Sequence, residues 1–213
     1  MITHITSEKT ETNCYFIQNE GNTVIIDPIC GDAVIDYISS KALKPDYIFL
    51  THEHFDHIEG LEKVRDYFGI PVVACEICSE RVQNVKTNLS NIADILAYYK
   101  TGKASKVKTE RYTCKAADIT FDEEFEMEWK GISFAFKRIP GHSPGSVMIT
   151  LGGCSEDSPA VFTGDYMIKG EKELLRLKDG SIEDFEKSTF PLLNNIPIGT
   201  HIFPGHGPDY VKA

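Results

Sequence analysis

The sequence predicts an α/β fold in which two β-sheets lie face to face and helices cover their outer sides. Two observations support this: strand-like runs fall into two groups along the chain, and helical patterns accompany each group. The 213 residues, 41% of them hydrophobic, are enough to bury a core without disulfide or metal staples. No short-period repeat or low-complexity linker divides the chain, so we expect a single domain over residues 1–213.

The first group of elements begins with a hairpin. Cys14–Ile17 and Thr23–Ile26 are β-like runs on either side of a polar turn. A helix is predicted from about Ala33 to Leu43, because Pro45 disfavours helical backbone at the residue before it. Tyr47–Leu50 is short and entirely apolar, as expected of a buried strand.

A helix and a strand complete this group. Apolar residues at helical spacing predict a helix over Ile58–Phe68, and Gly69 is a suitable residue to end it. Pro71–Ala74 then predicts another short strand.

The stretch from about residue 78 to 115 departs from this alternation, and we interpret it as an insertion. It joins apolar residues at helical spacing to a basic run. The apolar residues are Leu89, Ile92, Leu96 and Tyr99, and the basic residues are Lys100, Lys103, Lys106, Lys108, Arg111 and Lys115. We expect the apolar face to form a wall of the substrate pocket or to pack on a second subunit. The alternative is that this segment packs on the surface of the protein far from the site. The basic run is expected to be a solvated loop rather than a lid that recruits anions.

The second group of strands lies in the C-terminal half. The predicted strands are Phe125–Trp129, Ser133–Ile139, Ser146–Leu151, Ala160–Thr163 and a final one at His201–Phe203. Between the last two, Ser181 is a suitable N-cap for a helix that continues to about Asn194.

The composition limits which classes of partner and which cellular location are expected for the protein. The formal net charge of −10 argues against a general binder of nucleic acid or anionic membranes. No apolar run could span a bilayer and no signal peptide is visible at the N-terminus, so a cytoplasmic protein is expected. The six cysteines are expected to be free thiols, and the Cys75–Cys78 pair to pack in the core rather than to bind metal.

A dense group of metal-binding side chains follows the strand Tyr47–Leu50. His52, His54, Asp56 and His57 lie within six residues. Residues i and i+2 of an extended segment point the same way, so His52 and His54 can grip one ion. Asp56 and His57 come where the chain bends into a helix, and they can face a second ion.

Three further candidate ligands also follow short strands and have Gly as a neighbour: His142, Asp165 and His206. A single histidine beside glycine is usually a surface or capping residue, and Asp56 could simply cap a helix. The joint occurrence of the dense cluster and three strand-end ligands outweighs that reading, because loops at strand ends can meet at one rim of a sheet. Imidazole and carboxylate together suit zinc, iron or manganese, and we expect two metal ions.

At these residues the chain resembles the metallo-β-lactamase superfamily. The family pattern HxHxDH is met by His52, His54, Asp56 and His57, and the later His, Asp and His by His142, Asp165 and His206. The segment 140–146, Pro-Gly-His-Ser-Pro-Gly-Ser, is similar to the PGHTxGS of the glyoxalase II-like branch. The resemblance covers nearly the whole chain and implies a four-layer αββα sandwich with the site at one edge of the sheets.

The resemblance also implies roles for these residues. His52, His54 and His142 would bind the first metal, Asp56, His57 and His206 the second, and Asp165 would bridge the two. Two divalent ions, most simply zinc, would share a hydroxide that attacks a small thioester, lactone or related ester. Asp56 and Asp165 would hold the nucleophile or relay a proton, and Tyr166 would either assist an oxyanion or pack as an ordinary aromatic.

Other activities of the fold remain open at this point. The resemblance implies a metallohydrolase similar to hydroxyacylglutathione hydrolase, but glyoxalase II itself carries a C-terminal glutathione-binding domain, and only seven residues follow His206. A glutathione thioester is therefore in doubt, and the exact substrate stays open. One alternative is a mononuclear iron dioxygenase of the persulfide dioxygenase type, which the complete second ligand set disfavours. Others are a phosphodiesterase or ribonuclease and a non-catalytic metal-binding module. A small-molecule substrate is expected, and a homodimer is compatible with the sequence.

Overall fold

A computed structural model describes residues 1–96, 110–152 and 159–213, and two six-stranded sheets form its centre. The first sheet has the strand order β1 to β6. Its strands are β1 Ile2–Thr6, β2 Asn13–Asn19, β3 Asn22–Ile26, β4 Lys44–Phe49, β5 Val72–Cys75 and β6 Ile119–Phe121. The first three strands are antiparallel, and β3 to β6 run parallel to one another.

The second sheet has the order β12-β11-β10-β9-β8-β7. Its strands are β7 Glu124–Trp129, β8 Ile132–Arg138, β9 Val147–Gly152, β10 Ala160–Gly164, β11 His201–Pro204 and β12 Tyr210–Val211. The pair β10–β11 is parallel, and the other neighbours are antiparallel.

Aromatic side chains fill the space between the two sheets. Tyr15 on β2 contacts Phe162 on β10, with ring centroids 5.1 Å apart, and Phe49 on β4 contacts Phe134 on β8 at the same distance. The neighbouring Phe16 points the other way and stacks on a helical tyrosine. Alternate residues of a strand therefore serve the inner and the outer face, as the period of two requires.

Helices cover the outer faces of both sheets. On the first sheet, α1 Gly31–Ser40 and α3 Leu61–Phe68 bury apolar residues such as Val34 and Leu61 in the main core. On the second, a helical segment comprises an α-turn Ile182–Asp184, a π-turn Phe185–Thr189 and an α-turn Phe190–Asn194. Its apolar residues share a separate cluster with outward-facing strand residues. The predicted α/β sandwich of four layers is confirmed.

The predicted helix over Ile58–Phe68 is wrong as a single helix. Two helices occur, α2 Phe55–Ile58 and α3, with a break at Gly60. The amide of Gly60 donates to the carbonyl of Pro28, so it is not available for a continuous helical ladder. A Cβ at Gly60 would lie 1.7 Å from the carbonyl oxygen of Ile29, so only glycine permits this contact.

The other predicted elements are present, but some of them begin or end at different residues. The hairpin is β2–β3, Gly69 ends α3 in the left-handed conformation, and the Ser181 hydroxyl accepts a bond from the Asp184 amide as an N-cap. The helix predicted over 33–43 runs instead from 31 to 40. His201–Phe203 is not the final strand, because β12 follows it; β1, β6, β12 and the helix α4 Glu76–Arg81 were not predicted.

The described part of the insertion, up to residue 96, begins with a 3₁₀ turn Ser90–Ile92 and continues helically through residues 93–96. Tyr98, Tyr99 and the lysines of the basic run from Lys100 to Lys108 lie outside the described residues, as does Cys154. Within the described ranges no helix is both long and apolar enough to cross a membrane.

Candidate metal centre

All seven predicted ligands lie in loops or a short helix directly after strands. His52 and His54 follow β4, and Asp56 and His57 are in α2. The other three follow β8, β10 and β11; they are His142, Asp165 and His206. Because β3–β4 and β10–β11 are parallel pairs that end at the same edge of the sandwich, their following loops meet there.

The first group of side chains consists of His52, His54 and His142. They offer nitrogen atoms within 4.8 Å of one another. The closest pair is His142 Nε2 and His54 Nδ1, which are 3.0 Å apart. All three are at most 3% exposed.

The second group consists of Asp56, His57 and His206, with ligand atoms again within 4.8 Å of one another. His206 Nε2 lies 3.3 Å from Asp56 Oδ2. Asp165 lies between the two groups: its Oδ1 is 3.1 Å from His57 Nε2, and its Oδ2 is 3.4 Å from His142 Nε2. The same Oδ2 is 3.5 Å from His206 Nε2, so one carboxylate contacts members of both groups.

Hydrogen bonds to Nδ1 orient four of the five imidazoles. His57 Nδ1 is 2.8 Å from Asp27 Oδ2, and His142 Nδ1 is 2.9 Å from the carbonyl of Leu174. His52 Nδ1 meets the Thr51 hydroxyl at 3.1 Å, and His206 Nδ1 the carbonyl of Glu11 at the same distance. Carbonyl and carboxylate acceptors hold a proton on Nδ1, so Nε2 is the nitrogen that these rings direct to the centre.

The buried nitrogens and oxygens at the centre lack the partners that buried polar atoms normally have. His52 Nε2 is buried and has no hydrogen-bond partner. His57 Nε2 and Asp165 Oδ1 form a 3.1 Å ion pair with each other but no well-aligned hydrogen bond. Leaving such atoms unsatisfied costs free energy, and a cation among them would remove that cost. Imidazole nitrogens and carboxylate oxygens are also the donor set of zinc, iron and manganese sites, so the residues present fit a metal centre.

The two groups differ in charge. Burial, together with the neighbouring His57 and His54, lowers the pKa of His52 well below its usual value, and burial lowers the pKa of His142 to about 4 although Asp165 opposes this. His52 and His142 are therefore neutral imidazoles at pH 7. Neutral imidazoles are ready to bind a metal without losing a proton.

In the second group, the neighbouring carboxylates raise the pKa values of the two histidines more than burial lowers them. Burial opposes the charged form of His206, but Asp165 and Asp56 outweigh it and raise the pKa of His206 to about 9. The pKa of His57 is also raised, since Asp165, Asp56 and Asp27 overcome its burial. Burial would raise the pKa of Asp56 and of Asp165, yet the adjacent imidazoliums hold both well below the usual value. Without metal, this group is a buried set of ion pairs.

Asp27, which directly follows β3, belongs to the centre although it is not among the seven predicted ligands. Its carboxylate accepts bonds from the Thr51 amide at 2.7 Å, from the Thr51 hydroxyl at 2.5 Å and from His57. Its backbone is left-handed, with φ of 52°, a conformation that aspartate tolerates better than most residues. The sequence contains a signal for this role, because Asp27 follows β3, and β3 is the parallel neighbour of the strand that leads to His52.

Tyr166 has a structural position. Its hydroxyl donates to the carbonyl of Ile139 at 2.9 Å and accepts the amide of His142 at 2.6 Å. The side chain is fully buried. Both sides of the hydroxyl are engaged in holding the His142 loop, which favours the packing role over assistance to an oxyanion.

The insertion packs beside the ligand segment. Leu89 and Ala93 form a buried cluster with Phe55, the residue between His54 and Asp56, and Leu177 packs against it. The amide of Phe55 donates to the carbonyl of Asn88 at 2.8 Å, and the hydroxyl of Tyr112 donates to the carbonyl of Phe55. The apolar face of the described residues therefore lies against the metal-site segment within its own chain.

A cleft of about 440 Å³ opens beside His206. The remaining residues that line it are His4, Thr6, Glu11, Asn13, Glu171, Gly207 and Pro208. Of the second group, His206 lines this cleft, and Asp56 and His57 do not.

Comparisons with known proteins agree with this geometry. The family model of the metallo-β-lactamase superfamily matches residues 8–206. A probable metallo-hydrolase of Bacillus subtilis, YqgX, is 30% identical over 200 residues, which cover 93% of this chain and 86% of the relative. A hydroxyacylglutathione hydrolase of Prochlorococcus marinus is 27% identical over 87% of this chain but only 61% of its own length.

Among solved structures, the BLEG-1 B3 metallo-β-lactamase is similar with a TM-score of 0.78 and 28% identity, covering 99% of this chain and 94% of its own. The family match spans nearly all of the chain and includes every candidate ligand. The protein therefore belongs to the metallo-β-lactamase superfamily.

Proposed function

We propose that the protein is a hydrolase with two divalent metal ions, zinc in the simplest case, that cleaves a small thioester, lactone or related ester. The observation that carries this proposal is the position of Asp165, whose carboxylate contacts His142 of the first group and His57 and His206 of the second. A mononuclear oxygenase would not require the second group. The completeness of that group supports the hydrolase.

The roles follow from the two groups. His52, His54 and His142 would hold the first ion, and Asp56, His57 and His206 the second, with Asp165 binding to both. His52 and His142 can bind an ion without releasing protons, whereas the second group must give up the imidazolium protons of His57 and His206.

When bound, two such ions lower the pKa of a shared water toward about 7 and polarise the substrate carbonyl. The protein's own residues supply the rest. Asp56 and Asp165 are ionised, so their oxygen atoms can accept a proton released during attack and return it to the leaving group. Thr12 donates to Asp56 Oδ2 at 3.0 Å and holds that carboxylate in place.

The substrate class rests on the chemistry of the relatives. Hydroxyacylglutathione hydrolase cleaves a thioester by its name, and the B3 metallo-β-lactamase a β-lactam; both reactions open a carbonyl compound with water. The acidic chain and the glutamates beside the cleft favour an uncharged or cationic substrate over a polyanion.

The test is a hydrolysis screen with protein loaded separately with zinc, iron and manganese. Thioesters, lactones, phosphodiesters and β-lactams would be offered, and the metal-free protein would serve as the blank. We expect metal-dependent turnover of a thioester or lactone. Cleavage of phosphodiesters or β-lactams alone would overturn the substrate class, and oxygen consumption with a persulfide would overturn the hydrolase.

A further inference from the structure

A chain of charged side chains connects the centre to two other parts of the fold. Arg81, in α4, contacts Glu53 and Asp179 with the two sides of its guanidinium; its Nε lies 2.5 Å from Glu53 Oε1, and its Nη2 contacts Asp179 Oδ2. Asp179 Oδ1 in turn lies 3.9 Å from His54 Nε2. Glu53 is fully buried between the two metal-binding histidines of its segment.

His54 differs from the other four imidazoles. They are held through Nδ1, but His54 turns Nδ1 toward the centre, 3.0 Å from His142 Nε2. Nδ1 can bind a metal only if the proton is on Nε2, and that N–H then needs an acceptor. Both His54 Nε2 and Asp179 Oδ1 are buried without a hydrogen-bond partner, and each faces the other. A shift of less than 1 Å would bring the pair within hydrogen-bond distance.

Asp179 belongs to residues 165–181, which contain no helix or strand. The backbone beside it is held by two hydrogen bonds, from the Gly180 amide to Leu177 and from the Ser181 amide to Gly141, but neither of them orients the carboxylate. Arg81 supplies the fixed point, because α4 is anchored on β5 through the Cys75 cap and Glu53 holds the guanidinium from the opposite side. Glu53 is itself oriented by the Ser143 hydroxyl, which donates to its Oε2 at 3.1 Å.

We propose that Asp179 and Arg81 are positioning residues for the first metal: Arg81 holds Asp179 beside His54, and Asp179 accepts the Nε2 proton and so keeps Nδ1 turned to the ion. This inference rests on the proposed metal function. A purely structural reading treats the same charges as a buried ion-pair network that stabilises the fold. The two interpretations predict different effects on the first metal: only the positioning role predicts that loss of the Asp179 charge weakens its binding.

Three substitutions separate them. Asp179→Asn keeps the size of the side chain and removes its charge. Arg81→Lys keeps a positive charge but loses the fork that reaches two carboxylates. Asp209→Asn is the matched control, because Asp209 forms another histidine–aspartate pair, 2.5 Å from His201 and outside the centre.

The readout is the dissociation constant of each of two zinc ions, measured by competition with a chromophoric chelator, together with the absorption spectrum of the cobalt-substituted protein. Asp179→Asn and Arg81→Lys should raise the dissociation constant of the first ion by about 10–100-fold and alter the cobalt spectrum. The second ion should change less than the first. Asp179→Glu should restore part of the affinity, and Asp209→Asn should leave both constants unchanged.

The outcomes are distinct. If the unsubstituted protein binds no metal, the proposed function fails and the positioning roles fail with it. If it binds two ions and Asp179→Asn leaves the first constant within about twofold, the role of Asp179 is overturned while the metal function stands. If only Arg81→Lys is without effect, the part assigned to Arg81 is overturned. A lower melting temperature with unchanged metal constants would support the structural reading and also overturn the proposal.

Discussion

The charge of each histidine in the centre depends on which side chains surround it. His142 and His52 are surrounded largely by other imidazoles, and burial keeps them neutral. His57 and His206 face carboxylates, which keep them protonated despite similar burial. One centre thus contains two neutral imidazoles and two protonated ones, and these pairs should respond differently to pH.

The stability of the metal-free protein should fall as pH rises through the pKa of His206. The folded pKa is about 9 and the ordinary value is 6.5, so the ion pairs of His206 contribute fully below pH 6.5 and are lost as pH approaches and passes 9. His57, also raised, adds to the same fall. Melting temperatures of metal-free protein between pH 6 and 10 should therefore decline.

His206→Asn removes one of these contributions and should flatten the decline. Ile95→Ala, which changes an exposed residue and removes no ionisable group, is the control and should keep the slope of the unsubstituted protein. A melting temperature that rises over this range, or an equal slope in all three proteins, would contradict the assignment.

Asp165→Ala tests the carboxylate that contacts both groups. Its loss should weaken binding of the second ion more than binding of the first, because His52 and His54 still hold the first ion. Most of the activity should also be lost. Elemental analysis and turnover of the best substrate measure both effects. Asp209→Ala removes a carboxylate from the other histidine–aspartate pair and should change neither. Full metal content and turnover in Asp165→Ala would show that it does not bridge.

The sequence predicted the candidate ligands better than the residues that orient them. His and Asp at strand ends carry a visible spacing, whereas Asp27 and Asp179 act through contacts with residues 24 to 125 positions away in the chain. Asp27 could have been found from the parallel pairing of β3 and β4. Asp179 could not, because its lysine and glycine neighbours read as an ordinary turn.

At the scale of elements, the strands were predictable because alternation and apolar runs are local signals. The break between α2 and α3 was not, since it depends on the Pro28 carbonyl, which accepts the Gly60 amide. The short strands β1, β6 and β12 were missed for a related reason. Two to five residues carry little pattern, and pairing with a neighbouring strand decides their conformation.

The insertion offers a matched pair of residues for testing substrate selection. Ile92 packs on the cluster around Phe55, whereas Ile95, three positions later, is 55% exposed. If this face forms a wall of the substrate pocket, Ile92→Ala should change the ratio of kcat/KM between a bulky and a small acyl substrate by about tenfold. Metal content should not change, because neither isoleucine offers a ligand atom.

Ile95→Ala should leave the substrate ratio unchanged. An equal, small effect of both substitutions would mean that this face supports the fold without selecting substrate. Tyr98 and Tyr99, the further candidates on this face, lie outside the described residues, so Ile92 is the better first choice. Size-exclusion chromatography of the same variants would test whether the face instead supports a homodimer.

At the scale of the whole molecule, the centre requires the two ends of the chain to meet. Thr12 forms a β-bridge with His206, and the amide of Asn13 donates to the carbonyl of Gly205 at 2.7 Å. Asp56 and His57, from the first half, and Asp165 and His206, from the second, then lie within contact distance. Binding of metal is therefore coupled to the complete fold rather than to one local loop.

This coupling gives the metal a measurable effect on stability. An ion present at 100 times its dissociation constant stabilises the folded state by about 2.7 kcal/mol. For a domain of this size each kcal/mol raises the melting temperature by roughly 2–4 °C, so one ion should add about 5–11 °C. Removal of metal with a chelator should lower the melting temperature, and addition of zinc, iron or manganese should restore it.

Stoichiometry completes the test. Two ions per chain are expected after loading at pH 8, because seven ligands divide between two groups that share Asp165. Near pH 6 the first ion should still bind, since His52 and His142 are already neutral, whereas the second must displace protons from His57 and His206 and should bind weakly. Elemental analysis at both pH values measures this. If no more than one ion binds at pH 8, even with excess metal, the dinuclear centre is overturned. Equal binding of both ions at pH 6 would instead contradict the charge difference between the groups.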